Sequence, residues 1–206
     1  MRRPTAAAAR KTPKPVAKPT YFPTENVLER ALPPALVGQL EFENYHFRNF
    51  DLTQANLTGR VFRECLFENC NLAGATIQNA ALQNVAFDGC KLLGLQFYSC
   101  RDMLFDVHFD KCQLDYASFT GRRMPNTRFV SCSLQEVDFR QADLTAAVFE
   151  DCNLLRALFA DTRLVGADFT TAQGVELDPE LNELQQARFT KESLPGLLAK
   201  YNLVIE

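Results

Sequence analysis

The chain has 206 residues, of which 47% are hydrophobic, and a formal net charge of −3, which places it in the soluble globular class with room for one continuous core. No apolar run approaches the roughly 18 residues needed to span a bilayer, and the basic start Met1-Arg2-Arg3-Pro4 lacks the apolar stretch of a secretion signal, so none is predicted. Seven cysteines, an odd number without CxxC spacing, fit a reducing compartment and a cytoplasmic protein.

In chain order, residues 1–20 come first as a basic Ala/Pro/Lys tail. Its first 19 residues hold six Lys or Arg and no acid, too little apolar content to bury a core, so disorder is expected. Residues 21–39 predict a capping helix over Pro23–Leu32, with Thr24 as N-cap and Pro33-Pro34 as the stop. Residues 40–174 form the body, mildly acidic with 17 Asp or Glu against 12 Lys or Arg.

The body is periodic. An apolar residue recurs every fifth position from Phe42 to Phe97, and again from Leu104 to Phe169 after one seven-residue step. All 26 of these central positions are Phe, Leu, Ile or Met, and neither a helical period of 3.6 nor a strand period of 2 selects a repeat of five. Two residues earlier sits a second selected position, mostly small, as in Ala55, Cys65, Cys70, Ala75 and Cys90. The remaining positions are largely polar. Ala55-Asn56-Leu57-Thr58-Gly59, Ala142-Asp143-Leu144 and Ala167-Asp168-Phe169 show the pattern A(N/D)LXX nearly intact.

On these residues, over 40–172, the sequence resembles the pentapeptide-repeat family. The resemblance implies an all-β solenoid, a right-handed quadrilateral β-helix in which four pentapeptides make one coil. Reading central residues twenty apart agrees: Phe47, Phe67, Phe87, Phe109, Phe129, Phe149 and Phe169 share one face, and Leu52, Leu72, Leu92, Leu114, Leu134 and Leu154 the next. The span gives about six and a half coils stacked about 4.8 Å apart. The seven-residue step keeps this register only if two residues bulge out within Tyr98–Met103. Residues 175–206 predict a C-terminal cap: Asp178-Pro179-Glu180 opens a helix through Arg188, a second begins near Ser193 with Leu194, Leu197 and Leu198 inward, and 202–206 form a strand. Short helical caps at both ends would cover the open strand edges.

Candidate sites follow from departures from the pattern. Cys70, Cys90, Cys112, Cys132 and Cys152 fall in one column, which spreads thiols along a line where a metal needs them to converge, so they are read as packing residues. His46 and His108 occupy outward positions with no nucleophile motif around them, so no catalytic, cofactor or metal site is assigned. Arg60, Asp102 and Arg122 are charged at inward positions, and Asp102 and Arg122, in successive coils, are expected to pair. Met103, Phe105, Pro125 and Val165 are apolar at outward positions and form a candidate patch for a partner. Glu68, Asp88, Asp110 and Glu150 form an acidic ladder along the Phe face, broken by Val130.

The resulting expectation is a non-enzymatic intracellular scaffold that presents β-helix faces to a protein partner, with neither cofactor, membrane nor specific nucleic acid, as a monomer or a dimer through its C-terminal end. The resemblance carries an alternative. Quinolone-resistance members look like B-form DNA and bind DNA gyrase or topoisomerase IV, and here the acidic ladder would play the phosphate backbone. Such members are typically longer and strongly acidic, which this chain is not.

Overall fold

The computed structural model describes residues 26–31, 34 and 38–204, so the basic tail and the Thr24 cap lie outside the described residues. Ten short strands run in chain order: β1 (Val27–Glu29), β2 (Glu41–Glu43), β3 (His46–Arg48), β4 (Val61–Arg63), β5 (Leu66–Glu68), β6 (Ala81–Gln83), β7 (Val85–Asp88), β8 (Val107–Asp110), β9 (Arg128–Val130) and β10 (Val148–Glu150). They form a seven-stranded parallel sheet in the order β1-β3-β5-β7-β8-β9-β10 and a three-stranded one in the order β2-β4-β6. Two further walls are held by single parallel bridges, such as Asp51 to Asn71 to Lys91 and Gln96 to Ser118 to Asp138. The result is a four-sided, right-handed parallel β-solenoid of about six turns.

The period of five follows from corner geometry. The residue two after most central ones turns the chain in the left-handed region, for example Asn44, Asn49, Gly59, Asn69 and Gly89. Asn and Gly tolerate that conformation best. Each corner directs the next apolar side chain inward, and the bore fills with ring stacks. Phe47, Phe67, Phe87, Phe109, Phe129, Phe149 and Phe169 lie nearly parallel at 4.7–5.5 Å between centroids. A second stack, Phe97, Phe119, Phe139 and Phe159, meets the first edge-on. Both arrangements suit the aromatic quadrupole.

Several expectations are corrected at the ends and at the step. Residues 27–29 are the strand β1, not part of a helix. β1 lies parallel to β3, with Val27 opposite His46 and Glu29 opposite Arg48, and gives partners to backbone groups of the sheet edge that a helix would leave bare. Residues 178–188 are likewise not helical. Glu183 N donates to Thr162 O and Arg188 N to Ala167 O, and Phe189 continues the first ring stack at 5.1 Å from Phe169. The coil thus extends past the expected boundary, because bonding to the coil below outcompetes i to i−4 bonding. The helix near Ser193 does form, as α1 (Leu194–Leu197), but it is only four residues long. Leu197 packs on the core, whereas Leu194 and Leu198 are exposed. Residues 202–204 are not a strand.

At the seven-residue step the corner after Phe97 is a 3-10 turn, Phe97–Ser99, and the chain then leaves the wall as a projecting turn before rejoining at Val107, opposite Val85. The turn begins inside the predicted window and runs a few residues beyond it. Leu104, expected inward, is 71% exposed and adopts the left-handed conformation. Phe105 packs on the core in its place.

Candidate interaction surface

The projecting turn is held from below by a buried arginine. Arg122 is 3% exposed, and its guanidinium lies 4.5 Å from the Phe105 ring centroid. Nε donates to Phe97 O at 2.8 Å, one terminal nitrogen donates to Cys100 O and to Arg101 O, and the other meets Asp102 Oδ1. The carbonyls of the distorted corner are thus bonded by a side chain occupying a position that elsewhere is mostly Ala, Cys or Val. Asp102 itself points outward, with its side chain 97% exposed, so the pair joins a buried cation to a solvated carboxylate.

Arg122 therefore presents Met103 and Leu104 to solvent at 75% and 71% exposure. Of the candidate apolar patch, Met103 is at the tip and Phe105 beneath it. Pro125 is exposed and Val165 half-buried. Asn126 N donates to Thr145 O and Ala146 N to Val165 O, so Thr145 separates Pro125 from Val165 along the wall. Leu104 belongs to the exposed tip and was hidden in the sequence because it falls on the five-residue count.

The acidic ladder is present as a column: Arg48, Glu68, Asp88, Asp110, Val130 and Glu150 are successive neighbours in register. Basic side chains interleave it. Glu68 Oε2 accepts from Arg48 Nε at 3.0 Å and lies 2.7 Å from His46 Nε2. Burial raises the Glu68 carboxyl, but these two partners outweigh it and hold the group below its ordinary value. Lys111 Nζ lies 3.4 Å from Asp110, and Arg128 2.7 Å from Glu150. Asp88 is pushed up, by burial first and by Asp110 and Glu68 after it, with Lys111 opposing. Apart from Lys111 with its neighbour Asp110, the pairs sit 20 or 22 residues apart, a spacing legible in the sequence once the coil length is known. The other walls repeat the device, as in Arg156 with Glu136 and Arg188 with Asp168, both at 2.6 Å.

His46, expected at the surface, is buried between Val27 and Leu66 in register, and His108 is half-buried. Burial lowers the His108 imidazole, with Asp106 opposing and Arg128 adding. The cysteine column is wholly buried. Cys70, Cys90, Cys112 and Cys152 donate their thiols to Phe47, Phe67, Phe87 and Phe129 carbonyls one coil below, at 3.3–3.4 Å, so each bonds between coils as well as packing. Burial pushes the Cys65 and Cys100 thiols up to about 12. Among the described residues no group of His, Cys, Asp and Glu is placed to hold a metal ion, and no helix is long and apolar enough to cross a membrane.

A family model described as "pentapeptide repeat region" matches residues 60–130 and 103–169, together just over half of the chain. The chain is a pentapeptide-repeat protein. Proteins of this family are typically structural or interaction proteins. A comparison with curated proteins finds no match. Among solved structures, this pentapeptide-repeat protein is similar to two trypsin-treated variants of QnrB1, a plasmid-mediated fluoroquinolone resistance protein. Identity to each is 16%. One alignment covers 81% of this chain and 90% of the other at a TM-score of 0.58, the second 88% and 99% at 0.60. At that identity the likeness establishes the shared solenoid fold.

Proposed function

We propose that this pentapeptide-repeat protein is a non-enzymatic intracellular scaffold, and that the projecting turn Arg101–Asp106 is where it meets a protein partner. The observation that carries the reading is the pairing of an exposed apolar tip, Met103 and Leu104, with a buried arginine that holds the turn in place. A regular corner would close the coil with two fewer residues and no buried charge, and apolar tips on rigid supports are favoured as anchors in protein interfaces. The C-terminal end, where Leu181, Leu194, Leu198, Tyr201 and Leu203 are exposed, supports end-to-end association with a second copy.

The alternative, mimicry of DNA toward gyrase or topoisomerase IV, draws on the likeness to QnrB1. The interleaved Arg48, Lys111 and Arg128 weigh against it, since they neutralise the wall that would imitate a phosphate backbone. Affinity capture from the source cell with the wild type and a Met103→Ser/Leu104→Ser variant tests the first reading. A partner retained by the wild type and lost by the variant supports it, and identical retention refutes it. A gyrase supercoiling assay with Glu68, Asp88, Asp110 and Glu150 all changed to Gln tests the second, because mimicry requires inhibition or protection that disappears in the variant.

A further inference from the structure

Of the three charges at inward positions, Asp102 and Arg122 answer one another. Among the described residues Arg60 has no carboxylate partner, and its side chain donates there only to Gln39 O. The remaining donors of this half-buried guanidinium are open to water or to a ligand's acceptor.

Arg60 lines an apolar cavity of about 170 Å3 at the N-terminal end of the solenoid, enclosed chiefly by Phe42, Phe47, Phe50, Leu57 and Phe62. β1 covers one wall of this end. Beside the cavity, Leu52 and Ala55 are only half-buried, which leaves a way in from solvent. A cavity of about 150 Å3 lined by Leu, Ile and Phe stays dry and accepts benzene, and Arg is the side chain best matched to a carboxylate, through two parallel hydrogen bonds. Aromatic walls with a single cation select a ligand having a compact ring and one anionic group. A doubly charged, strongly hydrated phosphate would lose its water to a lining that offers almost no replacement.

We propose that the N-terminal end of the solenoid binds a small aromatic carboxylate of the benzoate class, its ring among the phenylalanines and its carboxylate on Arg60. The site is separate from the projecting turn, so the two readings stand or fall independently. Isothermal titration of the full chain with sodium benzoate, and in parallel with benzene, tests it. Benzoate is expected to bind saturably at one site. Arg60→Met should weaken benzoate by about ten- to a hundred-fold and leave benzene unchanged. Leu57→Phe, which fills the cavity, should abolish both, with Ala55→Leu at the entrance as the second variant should the first not fold. Absence of saturable benzoate binding by the full chain, as when its own N-terminal residues fill the cavity, overturns the proposal. So does equal loss of benzoate and benzene in Arg60→Met, or binding that survives every one of these variants.

Discussion

Replacing Arg122 with Met keeps the length of the side chain and removes the guanidinium. The Cys100 carbonyl then loses its buried donor, at about 1–3 kcal/mol for a group left unsatisfied, whereas Phe97 O keeps the N–H of Cys100, and the Phe105 ring loses a cation worth about 0.5–2 kcal/mol. Because these losses share one side chain they do not simply add, and about 2–4 kcal/mol is expected. Asp102→Asn removes the other partner of the same contact, but that carboxylate is 97% exposed and its loss should cost under about 1 kcal/mol. Urea denaturation of wild type and both variants reads the difference as a shift in midpoint at unchanged slope. Hydrogen exchange at Phe105 N and Asp106 N, which donate to Asp102 O and Leu82 O, should accelerate in Arg122→Met. Equal costs for the two substitutions, or an Arg122→Met cost within about 1 kcal/mol of wild type, would refute the claim that Arg122 supports the turn through backbone carbonyls.

Ala146 turns its corner at a φ of 56°, so Ala146→Gly should raise stability by about 1 kcal/mol, seen as a Tm rise of about 2–4 °C where glycine in regular structure usually lowers it. A Cβ on Gly196 would come within 1.9 Å of Val175 O, so Gly196→Ala should lift α1 off the last coil and open the C-terminal end to limited proteolysis. Asp88 has a folded pKa above its unfolded value; ionisation therefore costs stability as pH rises above the unfolded pKa. Asp88→Asn should raise Tm at pH 7 and leave it unchanged below about pH 3, measured by calorimetry across that range. Sedimentation should find the chain paired with a second copy, and Leu194→Glu with Leu198→Glu should return it to the monomer.

The repeat by itself determined the solenoid. Side chains that recur every five residues and share a face every twenty can be buried only by coiling the chain, so Phe129 or Leu134 is placed in the bore without coordinates. The cysteine column and the register of Glu68, Asp88, Asp110 and Glu150 follow from the same arithmetic. Local signals failed where bonding between coils competed with them. Val27–Glu29 and the segment after Asp178 carry helix-like patterns, but each lies against an open strand edge whose N–H and C=O groups need partners, and strand pairing prevails. At Leu104 the five-residue count picks the wrong residue, because counting cannot tell which of two neighbours an inserted turn sends inward; Phe105 goes in since its ring can pack beneath the Arg122 guanidinium. The tertiary structure also decided which charges are compensated. Arg122 and Arg60 break the same rule in the sequence, yet one is bonded by the corner it supports and the other faces a cavity, a difference set by what the neighbouring coil places within about 3 Å.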